Sequence, residues 1–189
     1  MFIGICLIVL VSCITIIFTT FKNGGETATN IENVFMHEKH EKIYTEAQDL
    51  AADSDLVVKV TATDKSINHM ETTEDGLPLY YWTENEFIIQ DVFVNNVNEQ
   101  SKRIVVIEPY AIFNNNQRII SEGYTPTETG NEYIFYLVKK AGEEVYLPIS
   151  TYQAKVDLNE SSIKMQLDTY IEDVKEKIKQ STLSLFTVE

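Results

Sequence analysis

The sequence predicts a mostly β domain of the α+β class, placed behind an apolar N-terminal segment. Short runs rich in β-branched and aromatic residues alternate with turn residues between positions 55 and 158. No helical pattern separates these runs, which argues against the alternating strands and helices of a parallel sheet. Helical periodicity is confined to the two flanks of the strand-rich region. These observations predict an antiparallel sheet with a helix on either side.

The apolar segment is long enough to cross a bilayer. Phe2 to Phe21 carries no charged side chain, and Lys22 is the first charged residue. Because about 20 apolar residues span a hydrocarbon layer of ~30 Å, we expect residues 1–22 to form an uncleaved membrane anchor. Residues 23–31 then form a tether, and residues 32–189 form one extracytoplasmic domain.

Two other interpretations of this segment stay open. Leu10-Val11-Ser12-Cys13 resembles a lipoprotein signal, in which Cys13 would be lipidated after cleavage. A cleaved secretory signal is the third interpretation. All three place the domain outside a cell membrane.

Net charge and cysteine content limit the partners that the domain can bind and the kind of organism that it comes from. The net charge is −14, which repels nucleic acid, so we expect no nucleic-acid partner. Both cysteines, Cys6 and Cys13, lie in the apolar segment, so the domain holds no disulfide. An exported domain without cysteines fits a bacterial protein, in particular a Gram-positive one.

The first half of the domain is predicted to contain one helix and two strands. Apolar residues at helical spacing predict a helix over Glu32 to Ala52. Alternation predicts strands over Asp55 to Thr63 and Leu79 to Val94. Asp64 to Pro78 between them is polar and is predicted to be a long loop. Asn95 to Lys102 is predicted to be a turn region.

The second half is predicted to contain shorter strands and a final helix. Arg103 to Glu108 has an apolar centre and is followed by Pro109, which ends a strand or places it at an edge. The other predicted strands are Ala111–Phe113, Arg118–Ser121, Glu132–Lys140, Glu144–Ile149 and Tyr152–Leu158. Helical spacing of apolar residues predicts a helix over Ser162 to Lys179, followed by a short tail.

Five to seven short strands predict a small antiparallel barrel of the OB-like type, flanked by helices. Three stretches carry a family resemblance: Ala52 to Thr61, Glu86 to Val94, and Glu122-Gly123-Tyr124 followed by Thr129 to Leu137. In this order they resemble uncharacterised exported Gram-positive proteins with an OB or netrin-like barrel, over residues 45–157. The resemblance implies no catalytic residues, and the absence of disulfides separates the domain from netrin-type inhibitors.

Aromatic residues beside loops are the candidate ligand-binding residues. Tyr80, Tyr81 and Trp82 directly follow Pro78, and Tyr124 lies beside Gly123. OB-like barrels bind ligands on one sheet face and its loops, and aromatic side chains are enriched in protein interfaces. Closure of the barrel ends by the same aromatic residues is the alternative.

Neither a catalytic centre nor a metal or cofactor site is predicted. The sequence lacks the G-x-S-x-G and phosphate-loop patterns. His37 and His40 with Glu41 could touch one metal ion from a helix, but a solvated helix face is favoured. The acids Asp64, Glu71, Glu74 and Asp75 could gather a hard cation, but they lack EF-hand spacing, so a plain acidic loop is favoured.

The function expected from these patterns is that of a non-enzymatic binding or accessory module. Its partner would be a surface protein or peptide, contacted through Asp64 to Pro78 and Tyr80 to Trp82. An anchored or secreted hydrolase with unidentified catalytic acids is one alternative. A component of an envelope complex, contacted through the anchor, is another.

Overall fold

The computed structural model describes residues 31–36, 42–113, 117–159 and 169–186. Residues 31–189 group as one compact unit. The predicted anchor, residues 23–30 of the tether and Cys13 lie outside the described residues. His37, His40 and Glu41 also lie outside them.

Nine strands and two helices make up the described part of the chain. In order they are β1 (Glu32–Met36), α1 (Ala47–Asp53), β2 (Leu56–Thr72), β3 (Pro78–Asn95), β4 (Arg103–Glu108), β5 (Tyr110–Phe113), β6 (Gln117–Ser121), β7 (Glu132–Lys139), β8 (Tyr146–Pro148), β9 (Lys155–Asp157) and α2 (Thr169–Phe186). The mostly β, α+β class predicted from the sequence is confirmed.

Five strands pair in a closed ring. The antiparallel neighbours are β2 with β3, β3 with β4, β8 with β7, and β7 with β2. A parallel contact between Val106 of β4 and Tyr146 of β8 completes the ring. β9 pairs with β7 over Tyr133 to Phe135, beside β8 on the same edge of that strand.

Alternating side chains of these strands fill the ring. The largest core cluster consists of Leu56, Val58, Val60, Ala62, Phe87, Ile104, Val106, Tyr133, Phe135, Leu137 and Tyr146. Every second residue of β2 from Leu56 to Ala62 and of β7 from Tyr133 to Leu137 belongs to it, because successive side chains of a strand point to opposite faces. Phe87 and Phe135 meet edge to face, with ring centroids 5.1 Å apart.

The two helices cover the other face of β2 and β7. This second cluster consists of Tyr44, Ala47, Leu50, Val57, Ile134, Tyr136, Ala154, Val156 and Ile178. Burial of both faces explains why β7 is apolar along its whole centre rather than alternating with polar residues. Neither helix in the described ranges combines the length and apolar character that a membrane crossing requires.

The C-terminal helix extends further than the sequence predicts. The described part of α2 begins at Thr169 and continues past Lys179 to Phe186, through residues predicted as a tail. Phe186 stacks on Phe93 of β3, with centroids 4.3 Å apart, so the last turn has an apolar partner. Ile178 is buried, whereas Tyr170 is largely exposed.

The prediction of a continuous helix over Glu32 to Ala52 is wrong in its first part. Glu32 to Met36 is a strand, and it pairs in parallel with β6. Among the described residues of the predicted span, the helix begins at Ala47, and it continues to Asp53. The partner strand lies about 85 residues away in sequence, so local periodicity could not reveal the pairing.

The prediction of a loop over Asp64 to Pro78 is also wrong. β2 continues to Thr72 and β3 begins at Pro78, which leaves a short turn between them. Cross-strand pairing satisfies the backbone of this polar stretch; His69 lies opposite Trp82, for example. The aromatic residues that pair with this polar stretch follow it in the sequence. The pattern of the polar stretch alone therefore predicts a loop.

A second, three-stranded sheet has the order β1-β6-β5. The predicted strands Ala111–Phe113 and Arg118–Ser121 are confirmed as β5 and β6, an antiparallel pair. The strands predicted over Glu144 to Ile149 and Tyr152 to Leu158 are confirmed in a shorter form, as β8 and β9.

Candidate functional site

The paired strands β2 and β3 continue as a two-stranded arm, formed by Ser66–Thr72, the turn 73–77 and Pro78–Asn85, and β4 still pairs with its base at Thr83–Asn85. β7 pairs with β2 only as far as Thr61, and β4 pairs with β3 only from Thr83 onward. The pairing register shifts between Ala62 and Ser66, where the arm begins. Such a bulge bends and twists a strand, so it changes the direction of the arm at this point.

The second sheet covers the inner face of the arm. The Asn68 side chain donates to the Ile112 carbonyl oxygen at 3.1 Å, and the Thr83 hydroxyl donates to the Tyr110 carbonyl at 2.8 Å. These bonds take the place of a backbone ladder at the edge of β5. The second sheet therefore contacts the inner face of the arm near the ring, although Ser66 and Asn68 on that face stay exposed.

The outer face carries Ile67, His69, Glu71, Tyr80, Trp82 and Glu84. Residues directly opposite each other in an antiparallel pair project to the same face, and these six form three such pairs. The His69 and Trp82 rings are stacked, with centroids 4.6 Å apart and planes 11° from parallel. His69 Nε2 also lies 3.1 Å from Glu84 Oε1.

A groove of about 210 Å³ lies at the base of the arm, and we call it the arm groove. Its lining residues are Tyr81, Trp82, Ile107, Pro109, Leu147, Pro148 and Thr151. Six of these seven side chains are apolar or aromatic. The groove is open to solvent and shallow, so it suits one or two side chains of a partner rather than an enclosed small molecule.

Large apolar side chains are exposed along the arm. Ile67, Leu77, Leu79 and Tyr80 are each more than half exposed. They are four of the ten large apolar residues that are exposed in the described part of the chain, concentrated in one hairpin. Concentrated exposure of this kind marks interaction surfaces, whereas scattered apolar residues need no explanation.

The predicted ligand-binding residues are divided between two places. Tyr81 and Trp82 line the arm groove, and Tyr80 lies beside Trp82 on the outer face. Tyr124 lies elsewhere: it is 1 % exposed and belongs to a core cluster with Tyr110 and Ile120. The structure does not bring Tyr124 to the arm.

Tyr124 belongs instead to a buried polar cluster around Glu108. The Glu108 carboxylate is completely buried and accepts hydrogen bonds from the Tyr124 hydroxyl, the Asn85 amide and the Thr127 hydroxyl. Lys155 Nζ lies 3.4 Å from Glu108 Oε1, and its side chain is only 6 % exposed. Burial, together with the negative charge of Glu108, raises the pKa of Tyr124 well above its ordinary value, so its hydroxyl stays a donor.

Sequence reasoning missed the Glu108 cluster, although one signal was present. Ile104, Val106 and Glu108 occupy every second position of β4, so the acid shares the face of two core residues. A carboxylate in that position needs buried donors. Lys155 and Asn85 meet it only in the folded chain.

Lys175 holds α2 against the loop that carries Tyr124. Its Nζ donates to the Gly123 carbonyl and the Thr125 hydroxyl, both at 3.1 Å. Burial lowers the pKa of Lys175 from 10.5 to about 8.

This lowered pKa predicts that stability rises with pH above about 8. Between about pH 8 and pH 10 the unfolded chain binds more protons than the folded one, so the free energy of unfolding increases. Higher still, tyrosine ionisation opposes the effect, since burial raises the pKa of Tyr136 to about 12 in the folded chain. Urea unfolding across this pH range measures the trend, and Lys175→Met is expected to flatten it. A wild-type stability that falls steadily from pH 8 contradicts the assignment.

Metal-binding groups do not gather in the described part of the chain. No three His, Cys, Asp or Glu residues among those described lie close enough to hold an ion. The acids Glu71, Glu74 and Asp75 are exposed on the arm and its turn.

No protein-family model matches the chain, and no curated protein is found to be similar to it.

Proposed function

We propose that this chain is a membrane-anchored, extracytoplasmic binding module whose arm groove receives a peptide segment of a surface protein. The observation that carries the proposal is the combination of the apolar arm groove with the exposed apolar residues of the adjoining arm. Aromatic anchors in a shallow pocket, surrounded by polar residues, are the usual centre of a protein interface.

An OB-like barrel accounts for the position of this surface. The ring order β2-β3-β4-β8-β7, with its single parallel contact, supports such a barrel. OB-like barrels bind ligands on the face of their second and third strands and on the loop between the first two. Here those elements are β3, β4 and the tip of the arm, and β3 and β4 supply Tyr81, Trp82 and Ile107 of the arm groove.

The negative charge of the arm indicates which kind of peptide would bind to it. Glu71 and Glu84 lie on the outer face beside Tyr80 and Trp82, and Glu74 and Asp75 lie in the turn. A segment with one apolar or aromatic anchor and nearby lysine or arginine residues would complement both features. An acidic segment would be repelled by the net charge of −14.

A hydrolase is less well supported by the described residues. The carboxylate of Glu108 is completely buried, so no substrate in solution can reach it. The groove identified beside the arm contains no acid. These observations favour binding over hydrolysis at the arm groove.

Selection from a peptide-display library on the full-length protein in detergent tests the binding proposal. We expect enrichment of peptides that combine an aromatic or large aliphatic residue with lysine or arginine. Trp82→Ala should weaken their binding at least tenfold, since interface aromatic residues contribute about 2 kcal/mol or more. Tyr170→Ala, which removes an exposed tyrosine of α2, is the matched control and should leave binding unchanged.

Two outcomes would overturn the binding proposal. One is the absence of enriched peptides, and the other is enrichment that Trp82→Ala and Tyr80→Ala leave unaffected.

Protease added to intact cells tests the location of the domain separately. We expect cleavage after Lys22 in intact cells, and protection that ends only on lysis would contradict an extracytoplasmic domain.

A further inference from the structure

Three reactive groups share one buried site, which we call the buried triad: Asn85, Glu108 and Lys155. The Asn85 amide nitrogen donates to Glu108 Oε2, and Lys155 Nζ lies 3.4 Å from Glu108 Oε1. One carboxylate therefore holds an amine on one oxygen and a carboxamide on the other. All three residues belong to different strands, β3, β4 and β9.

Aromatic rings enclose the amine of the triad. Lys155 Nζ lies 4.3 Å from the ring centroid of Tyr124, 5.1 Å from that of Tyr133 and 6.0 Å from that of Phe135. Glu108 is completely buried and Asn85 is 8 % exposed. Water, which would compete by hydrolysing the carboxamide, is largely excluded from such a site.

We propose that Lys155 and Asn85 join in an intramolecular amide bond, with Glu108 transferring the protons. The Lys155 nitrogen attacks Cγ of Asn85, the Nζ–Cγ bond forms, and the Cγ–Nδ2 bond breaks. The lysine ammonium gives up two protons, and Glu108 passes them in turn to the departing nitrogen, which leaves as ammonium. Glu108 ends as the carboxylate it was at the start, and nothing is oxidised or reduced.

The physical chemistry of the site favours each step. Burial lowers the pKa of Lys155, which increases the fraction of neutral, nucleophilic amine. A carboxylate in contact with both nitrogens is positioned as a general base and then as a general acid. Reactants held together in one site react much faster than the same groups free in solution.

The bond would stabilise a domain that has no disulfide. Both cysteines lie before Lys22, so no sulfur cross-link is available to the described domain. A link between residues 85 and 155 would close a loop of about 70 residues and constrain the unfolded chain as a disulfide does. It would fix β9 to β3 across the end of the ring.

Mass spectrometry of the purified full-length protein tests this proposal. The mass is expected to fall about 17 Da below the sequence mass, through the loss of ammonia in the attack of an amine on an amide. A tryptic digest should contain the peptide 66–102 joined to the peptide 141–164, with cleavage absent after Lys155. Processing at the N-terminus would change the mass of the intact protein but not the masses of these two peptides.

Two variants serve as controls, and their masses can be read whether or not they fold. Glu108→Gln removes the proton carrier, and Lys155→Arg removes the reactive amine. Both are expected to retain their sequence masses and to yield the separate peptides. Separate, unmodified peptides from the wild-type protein would overturn the proposal, and so would a joined pair that persists in Lys155→Arg.

Discussion

Replacing Glu108 with alanine is expected to lower the free energy of unfolding by about 3–5 kcal/mol, because several buried donors lose the carboxylate that accepts their hydrogen bonds. The substitution leaves the Tyr124 and Thr127 hydroxyls and the Asn85 amide without their acceptor. It also leaves Lys155 buried without its carboxylate. The loss of the hydroxyl acceptor follows whether or not Lys155 is joined to Asn85.

Denaturant unfolding followed by circular dichroism measures this loss. Glu143→Ala is the matched control, because Glu143 is an exposed turn residue that pairs with Lys140 at 2.8 Å. Exposed ion pairs contribute little to stability, so this variant should unfold nearly as the wild type does. A Glu108→Ala protein as stable as the control would show that the cluster does not stabilise the fold.

Replacing Gly123 with alanine is expected to cost about 2–4 kcal/mol, through backbone strain and overpacking together. Gly123 has φ +78°, a left-handed conformation that a Cβ atom disfavours. The added Cβ would lie 3.0 Å from Cβ of Tyr152 and 3.3 Å from a methyl carbon of Ile171. It would therefore push the loop away from α2, where Lys175 binds the Gly123 carbonyl.

Gly142→Ala separates the strain from the crowding. Gly142 has φ +79°, nearly the same conformation, but no atom lies within 4 Å of its added Cβ. The strain alone should cost roughly 1–2 kcal/mol at this position. Thermal and denaturant unfolding of the two variants compares them directly. Equal losses at both positions would refute the close packing of Gly123 against Tyr152 and Ile171.

Strand positions were predictable wherever the pattern within a strand is strong. β4 and β7 were predicted nearly to the residue, because their β-branched and aromatic residues are bounded by turn residues. β1 and the outer half of β2 were not, since their pairing partners supply the stabilisation. Glu32 to Met36 depends on β6, and Ser66 to Thr72 depends on the aromatic stretch of β3.

The candidate site was predictable only in part. The position of Tyr80, Tyr81 and Trp82 after Pro78 makes them candidate binding residues, and the structure places them on or beside the arm groove. Ile107, Leu147 and Pro148 complete the groove from strands far away in sequence. The position of Tyr124 beside Gly123 makes it a candidate on the same local grounds, yet it is buried against Glu108. Proximity to a loop does not distinguish a surface aromatic residue from one that closes a core.

The sequence by itself determined the mostly β class, the positions of the main strands along the chain and the aromatic stretch at residues 80–82. These follow from alternation and side-chain type, which act over a few neighbouring residues. Only the tertiary structure decided that Asp64 to Pro78 forms an arm and that Asn85, Glu108 and Lys155 meet. Both features depend on contacts between segments that are distant in sequence. Cross-strand hydrogen bonds stabilise the arm, and the buried carboxylate of Glu108 requires donors from other strands, so these contacts outweigh the local conformational preferences of the residues.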